Sequence, residues 1–162
     1  MLNTTTMELQ GDLEIVIRRS FNAPARIVFE AYTRADLVAK WFAPRALGVE
    51  MVSTEADVRS GGRYRYVIKP KGQEPVGFSG DYNEVTPAER LVYTQVFEPM
   101  AELGKAVITA TFTEANGKTH VHFSEVYPSA DVRDGVIASG METGMRNVMD
   151  QLEELAISLA SA

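Results

Sequence analysis

Few side chains in this sequence could do chemistry, and their spacing limits what they could do. His120 and His122 form a His-x-His pair within "KTHVHFSEVY". On a strand both rings fall on one face, ~7 Å apart, as in some zinc sites. Val121, Phe123, Glu125 and Tyr127 fall on the other face, so the nearest acid cannot complete that site. The histidines therefore read as a solvated strand face.

Glu125 is the opposite case, because its parity carries it inward with Val121 and Phe123. A buried carboxylate is costly unless it is paired or hydrogen-bonded. A tyrosine hydroxyl or an arginine at a cavity mouth would satisfy it; ligand contact and general-base work are the alternatives. Nucleophilic catalysis has no support, since cysteine is absent, both histidines face away and no Gly-x-Ser-x-Gly elbow occurs. No catalytic residue, metal ligand or cofactor is assigned.

The second source of chemistry is a set of aromatic and amide side chains where plain valines would pack better. In "GDYNEVTPAERLVYTQVF", Leu91, Tyr93, Gln95 and Phe97 share one strand face, and Val92, Thr94 and Val96 share the other. Hydroxyls and amides on a semi-apolar face suit a cavity, where they act as polar handles for a ligand or ordered water. In "RSGGRYRYVIKPKG" parity places Arg63, Arg65 and Lys69 on one face, with Tyr64 and Tyr66 on the other. No base could stack beside those cations, and a net charge of -6 would repel a phosphate backbone. Nucleic acid is not an expected partner. Gly61-Gly62 is followed by a strand pattern and reads as a turn, not a phosphate loop.

These residues must be positioned by a particular run of elements. "DLEIVIRRSF" alternates as a half-buried strand. In "FNAPARIVFEAYT", Asn22 reads as an N-cap, Pro24 fits the first helical turn, and Phe21 can staple onto Arg26 or Ile27. Thr33 can cap a second short helix, "RADLVAKWF", which must end near Phe42 before Pro44. Trp41 and Phe42 then plug an end of the core or line a pocket entrance. From Val49 the punctuation is that of an antiparallel meander, and Asn116-Gly117 predicts a two-residue type I′ hairpin.

After Pro128 the pattern is helical, capped by Ser129 or Asp131, with a stripe from Ile137 through Met141, Met145, Val148 and Leu152 to Leu159. A helix from Val132 to Ala160 would be ~43 Å long and must lie along the sheet. Gly140 and Gly144 remove side-chain volume there, for close approach of the sheet or to make room for a ligand. Methionines at helical spacing more often mark core, yet thioethers adapt to varied ligands.

The chain has 162 residues and reads as one domain, with residues 1–8 as a flexible tail. It lacks a leader-like start and any apolar run near the ~20 residues needed to span a bilayer, so a cytoplasmic protein without membrane insertion is expected.

The quoted motifs resemble the helix-grip fold of lipid-transfer START domains, birch-pollen-allergen-like proteins and polyketide cyclases. More closely, the chain resembles single-domain bacterial relatives of the C-terminal domain of the heat-shock-protein-90 ATPase activator. "FNAPARIVFEAYT", "KWFAP", "SGGRYRY", "GDYNEVTPAERLVYT" and "ASGMETGMRNVMDQLEEL" carry the likeness in the expected order. The expected architecture is α+β: a curved antiparallel sheet of about six to seven strands wrapped around a long C-terminal helix, with two short helices after the first strand. The resemblance implies small-molecule or protein binding without a shared catalytic motif. The expected function is binding of a small, mainly hydrophobic molecule between sheet and helix. Candidate cavity residues are Trp41, Phe42, Tyr66, Tyr82, Tyr93, Gln95, Phe97, Glu125, Met141 and Met145. A cyclase- or hydrolase-like enzyme using Glu125 or Tyr93, a chaperone-associated interaction module and a homodimer contact stay open.

Overall fold

The computed structural model describes residues 2–162. The chain begins with a strand where a tail was expected: Thr5–Gln10 (β1) pairs antiparallel with Glu14–Phe21 (β2), Met7 opposite Ile17. Two helices follow, Ala25–Thr33 (α1) and Ala35–Val38 (α2). The meander then runs through Glu50–Ala56 (β3), Arg63–Lys69 (β4), Val76–Thr86 (β5), Arg90–Phe97 (β6), Ala106–Ala115 (β7) and Lys118–Val126 (β8). Ala130–Ala138 (α3) and Met141–Ala160 (α4) complete the chain.

All eight strands form one antiparallel sheet in the order β1-β2-β8-β7-β6-β5-β4-β3. The additional strand is β1. The helix-grip architecture expected from the motifs is thus present, with one strand more at the β2 edge. Register shifts in β3 between Met51 and Ser53, and in β5 between Tyr82 and Glu84, add the local bend that lets the sheet curl. The Asn116-Gly117 hairpin forms as its sequence predicts, with φ of +56° and +74° at the two turn residues.

The starts of α1 and α2 are not capped by the residues that sequence spacing suggests. Asn22 is not the N-cap of α1; the helix starts after Pro24, and the first N–H, of Ala25, donates to Glu114 Oε1 at 2.7 Å. Thr33 does not cap α2, because its hydroxyl turns back to the Phe29 carbonyl at 2.7 Å inside α1. α2 stops at Val38 instead of reaching Phe42, and the chain passes through turns to Pro44. Those turns expose carbonyls that need donors. Gln151 of α4 supplies them: its Nε2 donates to the Trp41 and Ala43 carbonyls at 2.8 Å each, while its Oε1 accepts from the Arg45 N–H at 3.0 Å.

The expected single terminal helix is two. α3 is capped by Ser129, whose Oγ accepts from the Val132 N–H, and it ends before Gly140, which adopts a left-handed φ of +82°. That conformation suits glycine and breaks the helix. α4 alone, 20 residues, spans ~30 Å and lies in the sheet's concave face with Met149, Leu152 and Ala156 buried.

One buried polar cluster ties the N-terminal strands to α4. Arg19 on β2 and Glu153 on α4 are both buried and meet at 2.7 Å. Arg19 also reaches Thr5 Oγ1 and Asp150, and Glu153 accepts further bonds from Asn3 and the Asn22 N–H. Burial works to raise the Glu153 pKa, but the hydrogen bonds from Arg19, Asn3 and Asn22 pull it below its ordinary value.

Candidate functional site

Between the curled sheet and the helices lies a cavity of about 320 Å³. Its floor comes from alternate residues of adjacent strands. Tyr64 and Tyr66 project from β4, Tyr82 from β5, and Leu91, Tyr93 and Gln95 from β6. The cross-strand register places Tyr82 directly opposite Tyr93, and Tyr93 opposite Ile108. The rings pack in contact: Tyr64 lies 4.9 Å from Tyr66, 5.5 Å from Tyr82 and 5.7 Å from Tyr93, centroid to centroid. Such offset and edge-on pairs hold the rings in place without closing the space over them.

The sides come from the helical layer. Trp41 is fixed by its Nε1 donating to the Ala31 carbonyl at 2.7 Å and by stacking on Tyr32 at 5.4 Å. Phe42 abuts Tyr66 at 4.9 Å and Phe78 at 5.5 Å. Over the top, α3 contributes Val136, and α4 contributes Met141, Gly144, Met145, Val148 and Met149. Gly144 is not explained by close packing, since a Cβ built there would meet only Pro44 Cγ at 4.0 Å. The absent side chain leaves open volume at the cavity wall.

The one carboxyl of the lining stands on β8. Glu125 lines the cavity and accepts a hydrogen bond from Tyr127 Oη at 3.0 Å. Its side chain is half-buried. Burial pushes its carboxyl up from the ordinary 4.5 to about 7, and the Tyr127 bond offsets only part of that. Nearby, the Tyr32 and Tyr93 hydroxyls are hydrogen-bonded to each other at 2.5 Å. Desolvation drives the pKa values of Tyr32, Tyr64, Tyr66, Tyr93 and Tyr127 upward, so these phenols stay neutral at physiological pH. Among the residues lining the cavity there is no arginine, lysine or histidine.

Nine of the ten candidate residues line this cavity: Trp41, Phe42, Tyr66, Tyr82, Tyr93, Gln95, Glu125, Met141 and Met145. Phe97 does not. It is 38% exposed at the end of β6 and lines a second, outer depression of about 580 Å³. This depression shares Phe78, Gln95, Tyr127, Val136 and Met141 with the inner cavity, so it lies at the same end of the site. Of the residues not singled out from sequence, Tyr32 matters most, since it touches Trp41, Tyr93 and Phe123 from α1. Its place in "FEAYT" at helical spacing carried the signal, but helix-to-sheet distance is not readable from spacing. His120 and His122 are exposed on the far side of β8, and no three acidic, histidine or cysteine side chains converge among the described residues.

The fold is a helix grip, and comparison with known proteins agrees. Residues 22–156 match the family described as Activator of Hsp90 ATPase homolog 1-like protein. The chain belongs to that family.

Other members and neighbours share the fold at low identity. A crystal structure from Rhodobacter sphaeroides is 22% identical, with a TM-score of 0.85 over 96% of this chain and 99% of that one. A solution structure from Staphylococcus epidermidis is 27% identical, with a TM-score of 0.78 and 94% of each chain covered. The solution structure of an AHSA1-like protein from Aeromonas hydrophila is 18% identical, with a TM-score of 0.67 over 91% of this chain and 94% of that one. A search of curated proteins finds no match. Among the described residues no helix is long and apolar enough to cross a membrane.

Proposed function

We propose that this member of the Activator of Hsp90 ATPase homolog 1-like family binds a small, mainly hydrophobic molecule between its sheet and C-terminal helices. The observation that carries this reading is an aromatic cavity of about 320 Å³ whose lining holds a single carboxyl, that of Glu125, and no basic side chain. Ligand sites have this composition: apolar walls that supply affinity and a few convergent polar groups that set orientation. The volume lies within the usual ~300–1,000 Å³ range, and the adjoining depression of about 580 Å³ shares five lining residues with it. Trp41, Phe42, Tyr66, Tyr82 and Tyr93 form the walls, Met141 and Met145 the adaptable roof, and Gln95 and Glu125 the polar handles.

Native mass spectrometry of gently purified protein tests this. A reproducible extra mass that disappears on denaturation, and that Gly144→Leu also removes, supports the reading. An adduct that survives Gly144→Leu in folded protein places the ligand elsewhere and sinks it.

The family's description supports a second reading, contact with an Hsp90-type chaperone. Phe97, Met100 and Leu103 leave apolar surface exposed beside the outer depression and would serve it. A pull-down that fails equally for wild type and for Met100→Glu would count against that role.

A further inference from the structure

We infer that the cavity selects a small hydrophobic cation, a protonated amine above all, over neutral and anionic molecules of the same shape. The inference rests on the cavity being a binding site and concerns which chemistry it accepts. Three features point the same way. First, the lining carries one ionisable carboxyl, Glu125, and no basic side chain. An anionic ligand would enter a low-dielectric space with nothing to neutralise it, whereas an ammonium would find a partner. Second, aromatic rings dominate the walls, contributed by α1, the Trp41–Phe42 turn and strands β4 to β6. The negative faces of such rings attract cations and do nothing for anions. Third, Glu125 has accepting capacity to spare: among the described residues only Tyr127 donates to it, through Oε1.

The groups facing Glu125 do not reverse this. Tyr32 comes from α1, Tyr93 from β6 and Tyr127 from the end of β8, and burial keeps all three phenols protonated and neutral. The helical roof offers Val136, Met141, Gly144, Met145, Val148 and Met149, none of which titrates. The outer depression adds Lys105 and Asp131, one of each sign.

A matched series tests the selection: 2-naphthylmethylamine, 2-naphthylmethanol and 2-naphthoate, titrated calorimetrically into the full chain at about pH 8, where Glu125 is mostly ionised. The expected result is amine binding at least about tenfold tighter than the alcohol, with no measurable binding of the carboxylate. In Glu125→Gln, which keeps the shape and an acceptor for Tyr127 but cannot ionise, the amine and the alcohol should bind within about twofold of each other. Gly144→Leu should abolish binding of both. If the alcohol binds wild type as tightly as the amine, and Gly144→Leu removes it, the cavity is a ligand site but the cation preference is wrong. An amine preference that survives Glu125→Gln likewise overturns the inference. If no member of the series binds wild type at millimolar concentration, both the preference and the cavity reading fall.

Discussion

Replacing Glu125 with glutamine should make the protein more stable at alkaline pH and leave it unchanged in acid. In the folded chain the Glu125 carboxyl titrates at about 7, against an ordinary 4.5. An acid whose folded pKa is raised binds more protons folded than unfolded between those two values, so stability falls as pH rises through the window. Below about 4.5 the group is neutral in both states and contributes nothing to the difference. Above about 7 the loss is complete, because folding must then desolvate a carboxylate that has one hydrogen bond, from Tyr127. At about 1.4 kcal/mol per pH unit the loss has an upper bound of about 3.5 kcal/mol, and water entering the cavity lowers it.

Glutamine is nearly isosteric, accepts the same Tyr127 bond and does not ionise. The difference in melting temperature between variant and wild type should therefore open between about pH 4.5 and 7 and reach at most about 7–14 °C for a chain of this size. Other carboxyls also titrate in acid, among them Glu98 and Glu153, both held below their ordinary values. They are common to both proteins and cancel in the difference. The assay is a pair of thermal melts at matched ionic strength across that range. A difference that is constant with pH would refute the reasoning, because it would mean that Glu125 does not titrate in the folded chain within the window.

Three further substitutions test the structural logic around the site. Gln151→Leu removes the donors to the Trp41 and Ala43 carbonyls and the acceptor for the Arg45 N–H; a urea melt should show about 3 kcal/mol of lost stability, and less than about 1 kcal/mol would mean that water takes over these bonds. Glu153→Ala leaves Arg19, whose side chain is 1% exposed, with only the half-exposed Asp150 as an ionic partner; about 3–5 kcal/mol should be lost in the same assay, whereas a change near zero would show that Arg19 re-pairs or becomes solvated. Ala88 holds a left-handed φ of +63° at the third position of the Thr86–Glu89 turn, where glycine is favoured. Ala88→Gly should raise stability by about 0.5–1 kcal/mol, and a loss would show that the Ala88 methyl packing outweighs the backbone strain.

What the sequence made legible was whatever depends on period and local punctuation. Parity placed Glu125 inward and the histidines outward, set Tyr66 on the face opposite Arg63 and Arg65, and grouped Tyr93 with Leu91 and Gln95, because side-chain alternation along a strand is fixed by covalent geometry. Asn116-Gly117 specified its hairpin for the same kind of reason, since both residues tolerate the left-handed conformations that the turn demands. Failures occurred where a distant residue outcompeted a local one. Asn22 has the right type for an N-cap, yet the first helical N–H is taken by Glu114, far along the chain on β7. β1 looked like a polar tail because its exposed face carries Glu8 and Gln10. It pairs only as an edge strand, and its Thr5 is buried against Arg19.

The glycines of the terminal segment show how one sequence signal can split into two physical causes. Gly140 and Gly144 stand one helical turn apart and look like a single request for space. In the structure Gly140 is conformational: its left-handed φ ends α3 and starts α4, so the segment Ala130–Ala138 is a separate piece that can be set at its own angle over the cavity. Gly144 is volumetric: it leaves the wall open without any backbone demand. The two together determine the cavity from its roof side. Val136 of α3 and Gly144 of α4 both line the cavity, so the break at Gly140 sets how α3 meets it, and a full side chain at 144 would enter it. The aromatic floor is thus specified by strand parity, while the existence of a space above it depends on two residues with no side chain.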